Sequence, residues 1–181
     1  IKAGRQSKGK LKQGYFWPLY GEDHEVVFTY SDSRGRRHIE SVLKNQFSGT
    51  LITDGYAAYA RYAEQTQGIT HAQCWVHSRR YFINAQERDP QASAEAIEQI
   101  GQLYQVEESI RSKNLMCDKK QQYRLEHSKP EVDQLFDWCR LQCQRTDLTP
   151  THPLTKAIKY VMTRETQLRV FLEDPDVPLD T

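Results

Sequence analysis

The sequence predicts an α/β protein in which a small mixed sheet is followed by a block of helices. Two runs rich in aromatic and β-branched residues, at 14–22 and 25–32, are separated by a short turn and predict a β-hairpin. Apolar residues at helical spacing then predict an amphipathic helix over 36–47. Strand-like and helical patterns alternate up to residue 77, and only helical patterns follow residue 79. We therefore expect the strands in the first part of the chain and the helices in the rest.

The order β-β-α-β-α-β accounts for the first part of the chain. A strand at 50–54 follows the first helix, a short helix carries Tyr56 and Tyr59, and a strand-like run covers 69–77. Pro18 places the first strand at an edge or a bulge. The later helices, with boundaries at Pro130, Pro150 and Pro153, are predicted over residues 79–88, 91–111, 119–127, 131–145 and 153–173.

Composition and charge indicate a folded chain. The 181 residues carry a net charge of +1, with 38% hydrophobic and 27% charged residues, which is typical of a globular domain rather than a disordered one. No apolar run approaches the roughly 20 residues of a membrane span, and no segment resembles a signal peptide. We therefore expect a cytoplasmic protein with its four cysteines reduced.

The positive charges are clustered although the net charge is small. The segment 1–13 contains no acidic residue, and the segment "SRGRRH" at 33–38 adds three arginines. Clusters of this kind can neutralise DNA phosphates, although each segment could also be a solvated loop. The candidate DNA-binding residues here are Lys8, Lys10, Lys12, Arg36 and Arg37, accompanied by Lys2, Arg5 and Arg34.

The stretch "GTLITDGYAAYARY" at 49–62 places an acidic residue, Asp54, at the end of a predicted strand. A carboxylate held at a strand end by a following glycine turn is well placed to bind a metal ion, because the sheet fixes its position. The same carboxylate could instead cap the helix that begins near Tyr56. The local sequence leaves both interpretations open.

A second group of possible ligands begins with Cys74-x-x-His77, about twenty residues after Asp54. As half of a zinc site it requires two more ligands, and the only other close pair is Cys139 and Cys143. Those two cysteines share a helical stripe with Val132, Leu135 and Phe136, so we expect both in the core and do not expect zinc. His71 is isolated, and we expect it to be structural or exposed.

The segment "SRRYF" follows His77 directly. Arg79 and Arg80 could contact a phosphate backbone, and Tyr81 and Phe82 could stack on a base. Ordinary ion pairs and core packing explain the same four residues equally well.

Three segments together resemble the insertion-sequence-66 family of bacterial transposases: "LITDGYAAYARY", "AQCWVHSRRYF" and "HPLTKAIKYVMTRETQLRVFLEDPDVPLD". The resemblance implies a ribonuclease H-like fold over residues 1–82 and a helical insertion over 83–181. It also implies a DDE active site, in which two aspartates and one glutamate bind two Mg²⁺ or Mn²⁺ ions for DNA cleavage and strand transfer. The implied partners are transposon-end and target DNA, with the protein acting as a homo-oligomer.

Within that resemblance Asp54 is the second acidic ligand, His77 supports the site, and Cys74 is structural. Arg79 and Arg80 would contact DNA. The family's first aspartate would lie before Ile1 and its glutamate after Asp180, so the chain reads as a catalytic-core fragment that does not cleave DNA by itself. The acidic residues Glu22, Asp23 and Asp32 lie in the wrong strands to replace them.

Three other hypotheses remain at this point. The chain could be a DNA-binding or assembly module without catalysis, whose binding would fall steeply with salt and would ignore Asp54. It could be a structural domain stabilised by zinc at Cys74, His77, Cys139 and Cys143. It could also be a ribonuclease H-like nuclease that is not a transposase, because a fold does not fix a substrate.

Overall fold

The computed structural model describes residues 2–5, 11–21, 25–44 and 47–180, and the side chains of 2–5, 11 and 12 are not described. Within these residues the chain forms six short strands and seven helices, a mixed α/β architecture as predicted. The strands pair two by two. The chain divides into two compact units: unit 1 comprises residues 1–51 and 55–70, and unit 2 comprises residues 52–54 and 71–181.

Unit 1 begins with two antiparallel hairpins. Strand β1 (Lys2–Arg5) pairs with β2 (Leu11–Gln13), so these parts of the basic segment are strands and not a solvated loop. The predicted hairpin is confirmed as β3 (Tyr15–Tyr20) and β4 (Val26–Ser31), with Trp17 opposite Thr29.

The two faces of the β3–β4 hairpin differ in burial. Trp17 is buried on one face, because alternate residues of a strand point to opposite sides. The other face exposes large apolar side chains, and these are Phe16, Tyr20, Val26, Phe28 and Tyr30. The hairpin therefore packs on one side only within the described residues.

Helices α1 (Arg36–Leu43) and α2 (Ala57–Gln65) complete the core of unit 1. Trp17 packs there with Ile39, Ala58 and Tyr62. Helix α1 ends earlier than the predicted residue 47, because Lys44 adopts the left-handed conformation (φ 51°) that closes a helix.

Strands β5 (Gly49–Thr53) and β6 (Ile69–Gln73) form a pair joined by α2. The Gly49 N–H donates to the Gly68 carbonyl, and the Cys74 N–H donates to the Thr53 carbonyl. Both strands therefore run in the same direction, and their carboxyl ends lie side by side.

Unit 2 contains five helices: α3 (Trp75–Ala85), α4 (Pro90–Ser112), α5 (Cys117–Gln142), α6 (Pro153–Met162) and α7 (Glu165–Glu173). The core of this unit is larger than that of unit 1 and draws buried side chains from every one of these helices. None of the helices in the described residues is long and apolar enough to cross a membrane.

Three predicted boundaries in unit 2 were wrong. The run 69–77 is a strand only as far as Gln73, since Trp75, Ser78 and Phe82 are buried at helical spacing. Helix α5 continues through Pro130 as a single helix. The predicted helix 153–173 is two helices, because the Arg164 backbone (φ −126°, ψ 18°) leaves the helical conformation and its N–H donates to the Val161 carbonyl, three residues back.

Candidate functional site

Asp54 lies directly after β5 with its side chain exposed. Gly55 follows it at φ 79°, a conformation that glycine adopts without strain and that turns the chain away from the strand. Helix α2 starts at Ala57 with Tyr56 as the N-cap residue, so Asp54 lies two residues before the cap position. The interpretation of Asp54 as the N-cap of this helix is therefore wrong.

Hydrogen bonds to the backbone of Asp54 and to the side chain of Thr53 hold this strand end. The Tyr160 hydroxyl of α6 donates to the Asp54 carbonyl at 2.8 Å. The preceding residue, Thr53, is buried, and its hydroxyl lies 2.9 Å from His71 Nε2 and accepts a bond from Gln73 Nε2 at 3.2 Å. His71 is therefore structural, which was one of the two roles predicted for it. The carboxylate of Asp54 projects from a fixed backbone.

The start of α3 lies beside this strand end. Cys74 is its N-cap residue, is fully buried, and donates its N–H to the Thr53 carbonyl at 3.1 Å. The next residue, Trp75, donates its backbone N–H to the Leu179 carbonyl (2.8 Å) and its indole N–H to the Leu168 carbonyl (3.0 Å). The amino end of α3, which carries partial positive charge, is thus fixed next to the Asp54 strand.

His77 lies in the first turn of α3 and is half-buried. Burial lowers the pKa of His77, the neighbouring Arg80 lowers it further, and Asp54 opposes both effects. Its Nδ1 atom is buried and has no hydrogen-bond partner among the described residues. The lowered pKa favours the neutral imidazole near pH 7, and Asp54 lies close enough to oppose this shift by attracting the protonated form.

The residues after His77 lie partly in the core and partly at the surface. Phe82 is fully buried in the core, whereas Tyr81 stacks on Tyr160 with ring centroids 4.1 Å apart. Arg79 is half-buried, and Arg80 is exposed. Arg80 is therefore the more accessible of the two arginines to a large anionic ligand.

Tyr160 and Arg164 are part of this site and were not identified from the sequence. The Arg164 guanidinium lies 4.0 Å from the centre of the Tyr160 ring. Burial raises the pKa of Tyr160 to about 12, so its hydroxyl stays protonated and can donate to Asp54. Tyr160 occupies an apolar stripe with Ala157 and Val161, and no sequence pattern distinguishes it from a core residue.

The four cysteines have free thiols. Cys74 and Cys139 are buried, but Cys143 is exposed, so the prediction that Cys143 belongs to the core was wrong. Burial raises the pKa of Cys139 to about 12. In the described part of the chain no three His, Cys, Asp or Glu side chains form a group that could hold a metal ion.

The other basic candidates lie in the first 44 residues, in unit 1, whereas Asp54, Arg79 and Arg80 belong to unit 2. Lys8 and Lys10 are outside the described residues, and Lys12 lies in β2 with its side chain not described. Arg36 forms an ion pair with Glu40 (2.8 Å), and Arg37 is exposed.

Comparison with known proteins identifies the class of protein to which this chain belongs. A family model described as transposase IS66 family matches residues 1–181, the whole chain. The chain therefore belongs to the IS66 family of transposases. No solved structure matches it significantly.

Two relatives from Sinorhizobium fredii are similar to the chain, and both carry the description "uncharacterized protein". The first, y4jD, is 31% identical over an alignment 162 residues long that covers 86% of this chain and 31% of the relative. The second, y4qI, is 27% identical over an alignment 188 residues long that covers 96% of this chain and 34% of the relative. The chain thus spans about a third of the length of these curated relatives.

Proposed function

We propose that the full-length protein is a DNA transposase whose catalytic centre includes Asp54. The observation that carries this proposal is the position of Asp54 in a chain that matches the IS66 transposase family throughout. Its carboxylate is exposed at the end of a strand, where the Tyr160 hydroxyl donates to the Asp54 carbonyl and the Cys74 N–H donates to the Thr53 carbonyl. The reaction would be cleavage of DNA at the transposon ends followed by strand transfer into target DNA.

The proposed frame of the site is ribonuclease H-like. The antiparallel hairpin β3–β4, the parallel pair β5–β6 and the helices between them support this fold. In this proposal residues 1–82 belong to the catalytic core and 83–181 form the helical insertion. The boundary between these two parts falls inside α3, so the insertion would begin within a helix that also borders Asp54.

A metal requirement follows from the proposed chemistry, but the described residues do not by themselves fit a two-metal site. Such a site needs several carboxylates that converge on ions about 3.5–4 Å apart. Asp54 offers one exposed carboxylate, and the described residues contain no group of three candidate ligands. Binding of Mg²⁺ or Mn²⁺ would therefore require a further aspartate and glutamate from flanking regions of the full-length protein.

The described residues around Asp54 supply two features that suit a DNA substrate. Arg80 is exposed in the first part of α3, and Arg79 is on the same helix, so both could contact phosphates. His77 is neutral and could hydrogen-bond to a phosphate oxygen or to a ligand of the site. We propose DNA as the partner, a cytoplasmic location in bacteria, and assembly of the protein as a homo-oligomer on DNA.

The test is cleavage and joining of transposon-end DNA by the full-length protein in Mg²⁺. We expect Asp54→Asn to reduce both reactions by at least about 10²-fold while DNA binding and the folded structure are retained, because the variant removes a charge on which the reaction depends. Asp118→Asn is the matched control, since Asp118 is an exposed aspartate in the first turn of α5.

Cleavage by Asp54→Asn at the rate of the control would contradict the assignment of Asp54. If neither the wild-type protein nor the control cleaves a verified end sequence but both bind it, the result would favour a DNA-binding or assembly module without catalysis.

A further inference from the structure

Unit 1 contains a cavity of about 230 Å³. It lies where the amino ends of α1 and α2 meet, and it is large enough to admit a phosphate group. Three of its seven lining residues are arginines and none is acidic. The lining residues are Arg34, Gly35, Arg36, Tyr56, Ala57, Ala58 and Arg61.

The arginines give this cavity an excess of positive charge. Arg36 is held by the Glu40 carboxylate at 2.8 Å and by the Gln65 side chain, so its charge is largely balanced. Arg34 and Arg61 line the same cavity and are both exposed. A guanidinium presents several N–H donors in a plane, which matches the oxygens of a phosphate group.

The Arg34 side chain packs against two tyrosine rings. Its guanidinium lies 4.4 Å from the centre of the Tyr56 ring and 5.6 Å from that of Tyr15. The Tyr56 hydroxyl donates to the Arg34 carbonyl at 2.8 Å, which fixes the backbone of the arginine to the same tyrosine. Because the side chain is already packed, binding of an anion would cost less conformational entropy there.

The two helix ends add to the attraction for an anion. The N-cap residues Gly35 and Tyr56 make no side-chain cap hydrogen bond, and neither helix has an acidic residue in its first turn. The amino ends of α1 and α2 carry the partial positive charge of the helix dipole. Both ends border the cavity that the arginines line.

We propose that this cavity binds one phosphate group of a DNA backbone. Arg34 and Arg61 provide the charge, and the amino ends of α1 and α2 provide backbone donors. The contact is independent of base sequence, because it involves a phosphate and not a base edge. The choice of DNA as the source of the phosphate rests on the proposed function, whereas the phosphate chemistry rests on the cavity alone.

The experiment titrates the 181-residue chain with two ligands, a mixed-sequence DNA duplex and inorganic phosphate, and follows its backbone amide NMR signals. We expect the duplex to shift the amides of Arg36, Ala57 and Ala58, and millimolar phosphate to shift the same amides. We expect Arg61→Gln to weaken duplex binding several-fold and to lower the slope of log affinity against log salt by about 1, the value for one lost phosphate contact.

Arg34→Gln should behave like Arg61→Gln, and Arg88→Gln is the control, because Arg88 is an exposed arginine after α3 that does not line the cavity. The proposal is overturned if the duplex does not bind, if it binds without shifting these amides, or if Arg61→Gln matches the control. Shifts caused by inorganic phosphate alone would overturn the assignment to DNA and indicate a small phosphate ligand. Cleavage by the full-length protein reports on Asp54, so the two proposals can fail separately.

Discussion

The side chain of Arg124 is fully buried, which is rare for an arginine and requires every donor to find a partner. Its Nε and Nη2 atoms donate to the Glu107 carboxylate of α4 at 2.7 and 2.9 Å. Its Nη1 atom donates to the carbonyls of Phe171 and Val177, both at 2.9 Å. One side chain on α5 therefore joins α4 to the end of α7 and to the segment that follows it.

Arg124→Met should lower the free energy of unfolding by about 3–5 kcal/mol, because it leaves the Glu107 carboxylate and several carbonyls without their donor. Urea denaturation measures this change. Arg140→Met on the same helix is the control; Arg140 is half exposed, so its loss should cost about 1 kcal/mol or less. An equal loss of unfolding free energy in the two variants would show that the buried arginine does not contribute more to the stability of unit 2 than an exposed one.

At the residue scale, the position of Asp54 at a strand end could be predicted from the sequence, but the side chains that contact it could not. An acidic residue between an apolar run and a glycine is a local pattern, and the structure places Asp54 at the strand end as that pattern predicts. The contact from Tyr160 joins residues 106 positions apart in the chain, and no local pattern reports it. Cys143 follows the buried stripe of α5 but lies beyond its last turn, so it is exposed.

At the scale of single elements, α5 shows how packing can override a local rule. Pro130 lacks the N–H that would bond to the Glu126 carbonyl, which is why the sequence predicts a helix end there. Pro130 and Glu126 are both exposed, so water can bond to that carbonyl. The opposite face of α5 buries Val132, Leu135 and Phe136 in the core of unit 2, and this burial keeps the helix continuous.

Pro130→Ala should raise the free energy of unfolding by about 1–2 kcal/mol. The change restores one backbone hydrogen bond and removes a steric clash, and the greater freedom of the unfolded chain offsets part of that gain. Thermal or urea unfolding would measure it, with Gln134→Ala as the control, since Gln134 is exposed on the same helix. A variant less stable than the wild type would mean that the proline suits the helix geometry at this position.

At the scale of the whole molecule, the fold class could be predicted from the sequence, whereas the grouping of elements could not. Periodicity identified the hairpin β3–β4 and the helical second part, because both leave regular apolar patterns. The two compact units have separate cores, and the strands β5 and β6 each contribute residues to both units. A division that passes through two strands leaves no signal in composition or in linker sequence.

The proposed function depends on the assignment of Asp54 to the catalytic centre of a transposase. The most direct test is cleavage of transposon-end DNA by full-length Asp54→Cys in Mg²⁺ and in Mn²⁺. A thiolate is a poor ligand for Mg²⁺ and a better one for softer transition-metal ions. Cleavage lost in Mg²⁺ and partly restored in Mn²⁺ is the predicted result, and cleavage at the wild-type rate in Mg²⁺ would contradict the account.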